Sequence, residues 1–221
     1  MSMTPTALAR FNMIEQQIRT WDVLDERVLT VMSDIPREAF TPEPYRGVAY
    51  ADSQIPIGHG HVMEEPKLVG RILQEVDVHR HDRVLDVGTG TGYLAACLSR
   101  LGREIDTVDI HADFSNRAKA ALQEMDITNV RFSVADAGHG LPETEQRYDV
   151  IIVTGSLPQL HQGFHRSLTI GGRLFLTHGT SPVMEALLVT RVGVGQWRTE
   201  SLFETYLPPL ENTETPPEFS F

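Results

Sequence analysis

The sequence predicts an α/β fold in which helices flank a mostly parallel β-sheet, after an N-terminal region of helices and loops. Runs rich in apolar and β-branched residues and without glycine or proline recur at 84–87, 105–110, 130–134 and 148–154, as is typical of strands, and the first and last are predicted to be buried parallel strands. Segments with helical spacing separate the first three runs, which is the βαβ pattern. The 221 residues fit one such domain and are enough to bury a full core.

Two helices are predicted before the sheet. Thr4 and Pro5 suit the start of the first, since Thr caps helices and Pro fits the first helical position. Asp25 can cap the second, which ends near Ile35. Residues 50–61 carry too little periodicity for a helix, and a third helix opens at Met63–Pro66. Apolar positions then recur at helical spacing on one face, at Leu68, Val69, Ile72, Leu73 and Val76.

The run at 84–87 leads directly into a glycine loop. Gly88, Gly90 and Gly92 alternate after Val87, and helical spacing resumes at Tyr93. Strand, glycine loop and helix in this order let the backbone approach a ligand at the carboxyl edge of a sheet, with helix N–H groups facing it. A glycine turn without a ligand is the less favoured alternative.

Spacing and charge decide which nucleotide cofactor this loop suits. A dinucleotide loop needs G-x-G-x-x-G, but counted from Gly88 the third position is Tyr93, and a register from Gly90 begins two residues after the strand ends. Asp86 at the strand terminus would repel a pyrophosphate and attract a cationic ligand. S-adenosylmethionine carries a sulfonium and an ammonium, so it is the predicted cofactor. The segment 84–92 resembles the D-x-G-x-G-x-G motif of class I S-adenosylmethionine-dependent methyltransferases.

This resemblance implies a Rossmann-like class I methyltransferase fold with a seven-stranded sheet, and it implies cofactor contacts from the loop and from two further acids. Asp109 ends the second strand, where it could accept both ribose hydroxyls; the alternative is a simple helix cap. Asp136 lies in a segment similar to the family's G-D-G-x-x-G, where it would accept from the adenine amino group; the alternative is a closed turn. The predicted cofactor residues are Asp86, Gly88, Thr89, Gly90, Gly92, Tyr93, Asp109, Ile110, Asp136 and Ala137.

A closer resemblance runs through the first 66 residues. The sequence is similar there to the N-terminal signature of protein-L-isoaspartate O-methyltransferases, which methylate the abnormal carboxyl group of isoaspartyl residues and so take part in protein repair. The matching segments are Ile35-Pro36-Arg37-Glu38-x-Phe40, Ala49-Tyr50-x-Asp52, Ile55-Pro56-Ile57-Gly58-x-Gly60 and Pro66. Together with the cofactor half, the resemblance covers about residues 12–205, and it implies a substrate side formed by Ile57, His59, His61, Val62 and Thr154.

One departure from this family keeps the function open. The family has Gln-Thr-Ile-Ser-Gln-Pro where residues 61–66 stand, and Glu64 occupies the position of its active-site serine. Two carboxylates about 4 Å apart repel by roughly 4 kcal/mol. Glu64 could point to solvent in the first helical turn, leaving isoaspartyl methylation intact. It could instead serve as the catalytic group for another nucleophile in a small-molecule methyltransferase, or the chain could be a catalytically silent binding or scaffold protein.

The remaining chain predicts further strands and a tail. A glycine turn and strand at 168–176 resemble those that follow the family's last helix, and antiparallel strands are expected at 184–192 and 197–206. The single domain then divides into a substrate-side region (1–66), a cofactor core (67–206) and an acidic, proline-rich tail (207–221) expected to be extended or mobile.

Composition limits the partners. A formal net charge of −11 argues against a nucleic-acid surface, and a peptide or a small molecule is the expected substrate. No apolar run approaches the roughly 20 residues that span a bilayer, and residues 1–16 lack secretory features, so a cytoplasmic location is expected. The sequence does not indicate an oligomeric state.

No metal site is expected. The single cysteine, Cys97, excludes a Cys-based zinc site and reads as a buried small hydrophobe. The pairs His59/His61 and His79/His81 have no carboxylate or Cys at ligand spacing along the chain. His59 and His61 are therefore predicted to border the substrate site rather than to bind an ion.

Overall fold

The computed structural model describes residues 4–141 and 146–214. Five α-helices and nine β-strands are described there. In chain order they are α1 (Pro5–Met13), α2 (Glu26–Asp34), β1 (Ile55–Gly58), β2 (His61–Met63), α3 (Pro66–Val76), β3 (Arg83–Val87), α4 (Tyr93–Leu101), β4 (Glu104–Asp109), α5 (Ala112–Glu124), β5 (Val130–Val134), β6 (Tyr148–Leu157), β7 (Leu168–Thr180), β8 (Val183–Gly193) and β9 (Gln196–Glu204). None of the described helices is long and apolar enough to cross a membrane.

Seven strands form one sheet in the order β5-β4-β3-β6-β7-β8-β9. The pairs from β5 to β7 are parallel, and β8 and β9 add antiparallel strands at one edge. The predicted mostly parallel, seven-stranded sheet is confirmed. β3 pairs with both β4 and β6, so the strand order reverses beside it, and ligands of open α/β sheets bind at such a switch point.

The two faces of the sheet are covered differently. Helices α3, α4 and α5 pack on one face, because residues of all three share the larger apolar core with Val84, Ile105 and Ile152 of the sheet. On the other face, Leu174 belongs to a second core with residues of the connection after β6. The resemblance implies that the family's last helix precedes 168–176; in the described residues of that connection the helical structure is the 3-10 turn His165–Ser167.

The N-terminal helices begin as predicted. Thr4 Oγ1 accepts from the backbone N–H of Ala7 at 3.2 Å, and Asp25 Oδ1 accepts from that of Arg27 at 2.8 Å. Helix α1 continues as a π-helical turn over Ile14–Ile18. Cys97 is buried, as predicted, and burial raises the pKa of its thiol to about 12.

Strands β1 and β2 form a hairpin that the sequence did not predict. Ile55 pairs with Met63 and Pro56 with Val62, and the turn between the strands contains His59 and Gly60, both at positive φ. The strands have four and three residues, which is too short for a recognisable alternation. The hairpin carries residues 57–62 to the glycine loop after β3.

The glycine at the start of α4 permits close contact between α4 and α5. Gly92 has φ +84°, and a Cβ there would lie 2.6 Å from the Cβ of Ala118. Gly171 has nearly the same φ, +83°, with nothing within 4 Å. We expect Gly171→Ala to cost about 1–2 kcal/mol of unfolding free energy for backbone strain, and Gly92→Ala a further 1–3 kcal/mol for overpacking. Urea denaturation of both variants measures the difference, and equal losses would contradict a steric role for Gly92.

Candidate active site

A cavity of about 1050 Å³, counted with its open mouth, lies at the carboxyl ends of the central strands. Its walls come from the glycine loop, the β1–β2 hairpin, the ends of β4 and β6, and the segment 208–211. Its position beside the switch point at β3 makes this cavity the candidate active site.

The glycine loop is held by backbone hydrogen bonds and by one threonine. Gly88 N donates to Val108 O at 2.8 Å, and Thr154 Oγ1 donates to Val87 O at 2.8 Å and Gly88 O at 3.1 Å. A Cβ at Gly88 would lie 2.2 Å from Thr154 Oγ1, so only glycine fits this contact. Thr154 therefore fixes the loop as well as lining the cavity.

Asp109 ends β4 inside the cavity. Its Oδ2 accepts from Gly90 N at 2.9 Å, and its Oδ1 accepts from His111 N at 2.9 Å. A carboxylate has about four acceptor positions, so each oxygen can also accept from a hydroxyl. The predicted ribose role and the alternative capping role are thus compatible, because Asp109 orders the loop and still has acceptor capacity.

Asp136 combines its two predicted roles in the same way. Its Oδ1 accepts from Gly138 N at 2.8 Å, which closes a turn, and its Oδ2 accepts from Asn212 Nδ2 at 2.7 Å. These two hydrogen bonds, the backbone one first, hold the pKa of Asp136 below its ordinary value. Asp136 is therefore an ionised acceptor beside the apolar wall residues Ile110 and Ala137.

Asp86 does not contact the cavity, which corrects the charge argument made for it. The residue is fully buried, its Oδ2 accepts from Thr107 Oγ1 at 2.9 Å, and burial raises its pKa to about 7. A buried carboxyl of this kind is only partly ionised at neutral pH. Gly92 and His59 also lie outside the cavity lining.

Glu64 lies in the cavity and not on the first turn of α3. That helix begins at Pro66 with Glu65 as its N-cap, so the predicted solvent-facing position in a helix is wrong. Glu64 Oε2 accepts from Gln54 Nε2 at 3.1 Å. Desolvation by burial is the largest influence on its carboxyl group and raises the pKa to about 7.

Arg37 lines the cavity. It belongs to the signature segment 35–40, but no site role was predicted for it. Its side chain is fully buried, with Nε donating to Ala49 O at 2.8 Å and Nη2 donating to the backbone oxygen of Glu64. The guanidinium lies 5.0 Å from the ring centre of Tyr93, and Nη1 has no partner among the described residues. The sequence signal for a buried arginine was its place among the apolar residues Ile35, Pro36 and Phe40.

The chain after β9 covers one side of the cavity. Ser156 N donates to Pro208 O at 2.8 Å, and Leu210 N donates to Ser156 O at 3.0 Å. Residues 208–211 line the cavity as a result. The tail was expected to be extended or mobile: residues 207–210 are extended chain, held by these hydrogen bonds, and the part of the expectation on 215–221 lies outside the described residues.

Most predicted site residues come together in this cavity. Those that line it are Ile57, His61, Val62, Glu64, Gly88, Thr89, Gly90, Tyr93, Asp109, Ile110, Asp136, Ala137 and Thr154. Beside its mouth, two carboxylates from distant parts of the chain contact histidines: Asp113 contacts His59 at 3.1 Å, and Glu211 contacts His61 at 2.9 Å. The prediction that no carboxylate joins this histidine pair considered only chain spacing, and the fold supplies both.

Comparisons with known proteins agree with this architecture. The family model for protein-L-isoaspartate(D-aspartate) O-methyltransferase matches residues 9–212. The chain is 36% identical over 212 residues to protein-L-isoaspartate O-methyltransferase 1 of Rhodopseudomonas palustris, covering 96% of this chain and 86% of that protein. It is 37% identical over 194 residues to the Methanoculleus marisnigri enzyme of the same name, covering 87% and 88%.

Solved structures give the same result for the fold. A crystal structure from Plasmodium falciparum, assigned to the same enzyme class and bound to S-adenosyl-L-homocysteine, matches with TM-score 0.79 at 17% identity, covering 96% of this chain and all of that chain. At that identity the match shows the fold alone. The sequence matches go further: this chain belongs to the protein-L-isoaspartate (D-aspartate) O-methyltransferase family.

Proposed function

We propose that this protein transfers the methyl group of S-adenosylmethionine to the free carboxyl group of isoaspartyl residues in damaged proteins and peptides. The observation that carries the proposal is one continuous cavity with two kinds of wall. Asp109, Asp136 and the glycine loop lie on one side, and Glu64 and Arg37 lie on the other. Family membership favours this reading over a small-molecule methyltransferase or a silent scaffold.

The first side has groups that fit the cofactor. Asp109 has acceptor capacity for ribose hydroxyls, and Asp136 can accept from an adenine amino group. Apolar side chains of Ile110, Ala137 and Leu210 suit the faces of a purine ring. The bound cofactor would supply an electrophilic methyl group, and these residues would fix its position relative to the substrate.

The second side has to position a carboxylate, which is already ionised at neutral pH because its ordinary pKa is about 4. No general base is then needed, and the main contribution is alignment. Neutral Glu64 could donate a hydrogen bond to that carboxylate, as a serine hydroxyl would. The buried guanidinium of Arg37 adds positive charge nearby. Because its pKa is raised, Glu64 can be neutral near pH 7 and then does not repel an anionic substrate.

The organisation of the chain is part of the proposal. Residues 1–66 would form the substrate side, 67–206 the cofactor core, and 207–221 the tail, of which 208–211 would cover the cofactor. A cytoplasmic location and a lack of nucleic-acid binding are also proposed. Cell fractionation and a gel-shift assay would check them.

Incubating the protein with S-adenosylmethionine labelled in the methyl group and a peptide containing one isoaspartyl residue tests the function. The expected result is base-labile label in that peptide. The control is the same peptide with a normal aspartyl residue. The two peptides differ only in whether the chain continues through the main-chain or the side-chain carboxyl group. Equal label in both peptides, or none in either, would overturn isoaspartyl methylation.

A further inference from the structure

Three residues from distant parts of the chain converge beside the cavity mouth. The Nε2 atoms of His61 and His111 lie 2.9 and 2.7 Å from the same oxygen, Oε1 of Glu211. His61 lies at the start of β2, His111 between β4 and α5, and Glu211 on the segment after β9. Two imidazoles and one carboxylate therefore form a compact cluster, and their ligand atoms all lie within 4.8 Å of one another.

The surroundings hold the two rings in place. The ring of His59 stacks on that of His111 at 3.9 Å between centres, and His59 Nε2 contacts Asp113. The edge or face of the buried Phe114 ring packs against all three imidazoles. The stacking on His59 and the contacts with Phe114 hold the rings of the proposed ligands His61 and His111 in place.

The donor set is one that transition-metal ions prefer. Two histidines and one glutamate, with a further position open, are the protein ligands of many zinc sites, and imidazole nitrogen also suits copper, nickel and iron. Around a tetrahedral zinc ion the ligand atoms would lie about 3.3 Å apart. Small side-chain rotations would reach that separation from the observed contacts.

We propose that His61, His111 and Glu211 bind one divalent transition-metal ion, with zinc the best fit, and that the ion fixes the segment 208–214 over the cavity. His111 N also donates to Asp109 Oδ1, so the ion would lie close to the proposed ribose position. The ion has no part in the methyl transfer. Its effect is to join the hairpin, the β4–α5 connection and the tail at one point.

Direct titration tests the site. Untagged protein freed of metal with a chelator is titrated with ZnCl₂ in a calorimeter, and one ion per chain is expected. Loss of an outer-shell partner alone costs about 10–100-fold in metal affinity. Because His111→Ala and Glu211→Gln each remove a direct ligand, each should weaken binding by at least about 100-fold. His81→Ala is the matched control: it removes a histidine from the other pair, and zinc affinity should not change. Circular dichroism confirms that each variant is folded.

Trimming of the tail by a carboxypeptidase gives a second readout that does not depend on methyl transfer. Zinc should slow removal of residues before 212 in the unaltered protein but not in Glu211→Gln. Should one variant fail to fold, His61→Ala takes its place. The proposal is overturned if metal-free protein binds no zinc, or if zinc binding survives in the ligand variants. Hydrogen bonds without an ion would then account for the contacts of His61 and His111 with Glu211.

Discussion

Replacing Asp109 with alanine is expected to weaken binding of S-adenosylmethionine about 100-fold. The carboxylate would lose two proposed charge-assisted hydrogen bonds to ribose, each worth about 1.5–3 kcal/mol, and a loss near 3 kcal/mol corresponds to about two orders of magnitude in the dissociation constant. The variant also leaves Gly90 N and His111 N without their acceptors, which loosens the loop. Both effects act in the same direction.

Calorimetric titration with S-adenosylhomocysteine measures this change without turnover. Asp109→Asn keeps the side-chain shape, so its dissociation constant should lie between those of the unaltered protein and Asp109→Ala. Asp106→Asn is the matched control, because Asp106 is on the same strand but binds Arg83 and Arg131 away from the cavity. An unchanged dissociation constant in Asp109→Ala would remove Asp109 from the cofactor site.

The sheet and its glycine loop could be predicted because their signals are local. The runs that became β3 to β6 lack glycine and proline over 84–87, 105–110, 130–134 and 148–154, and the alternate glycines 88, 90 and 92 follow the strand that leads into α4. Asp109 was predicted because it ends a strand and the carboxyl ends of parallel strands meet at one edge, and Asp136 was predicted because its segment resembles the family's G-D-G-x-x-G. Each of these inferences needs only a short window of sequence.

The cover of the cavity could not be predicted because it is built from long-range contacts. Glu211 meets His61 across 150 positions and His111 across 100. The tail is polar and rich in proline, so its local pattern indicates only an extended chain. Its position depends on backbone pairing with Ser156, which no periodicity reveals.

The sequence also did not reveal the ionisation states of Asp86 and Glu64. Asp86 and Glu64 look alike in sequence, as acids near a cofactor motif, yet the first is sealed inside the sheet and the second opens into the cavity. Burial raises the pKa of both to about 7. The error on Glu64 came from starting α3 too early, although proline at the first helical position favours a start at Pro66.

The rate of isoaspartyl methylation is expected to fall about tenfold for each pH unit above 7. Ionised Glu64 repels the substrate carboxylate, so the substrate binds only when Glu64 is neutral. The sign follows from the raised pKa: Glu64 is largely protonated below about pH 7 and ionised above it. The substrate carboxylate is ionised above about pH 4. Activity should therefore be highest from about pH 5 to 7, the window in which the two groups carry complementary states.

Glu64→Gln separates this explanation from a general effect of pH. The amide of glutamine stays neutral, so kcat/KM of the variant should be nearly constant from pH 6 to 9, and at pH 9 the variant should exceed the unaltered protein by about 100-fold. Glu64→Ser should behave similarly. Measurement of kcat/KM with the isoaspartyl peptide at each pH gives the comparison.

Glu65→Gln is the control, because it removes the neighbouring acid and leaves Glu64 able to titrate. Glu65 helps to raise the pKa of Glu64 through charge repulsion, so this variant should keep the tenfold slope with its midpoint moved to lower pH. The two variants thus change the same profile in different ways. If Glu64→Gln kept the slope of the unaltered protein, another group would be titrating, and Glu64 would have no part in holding the substrate.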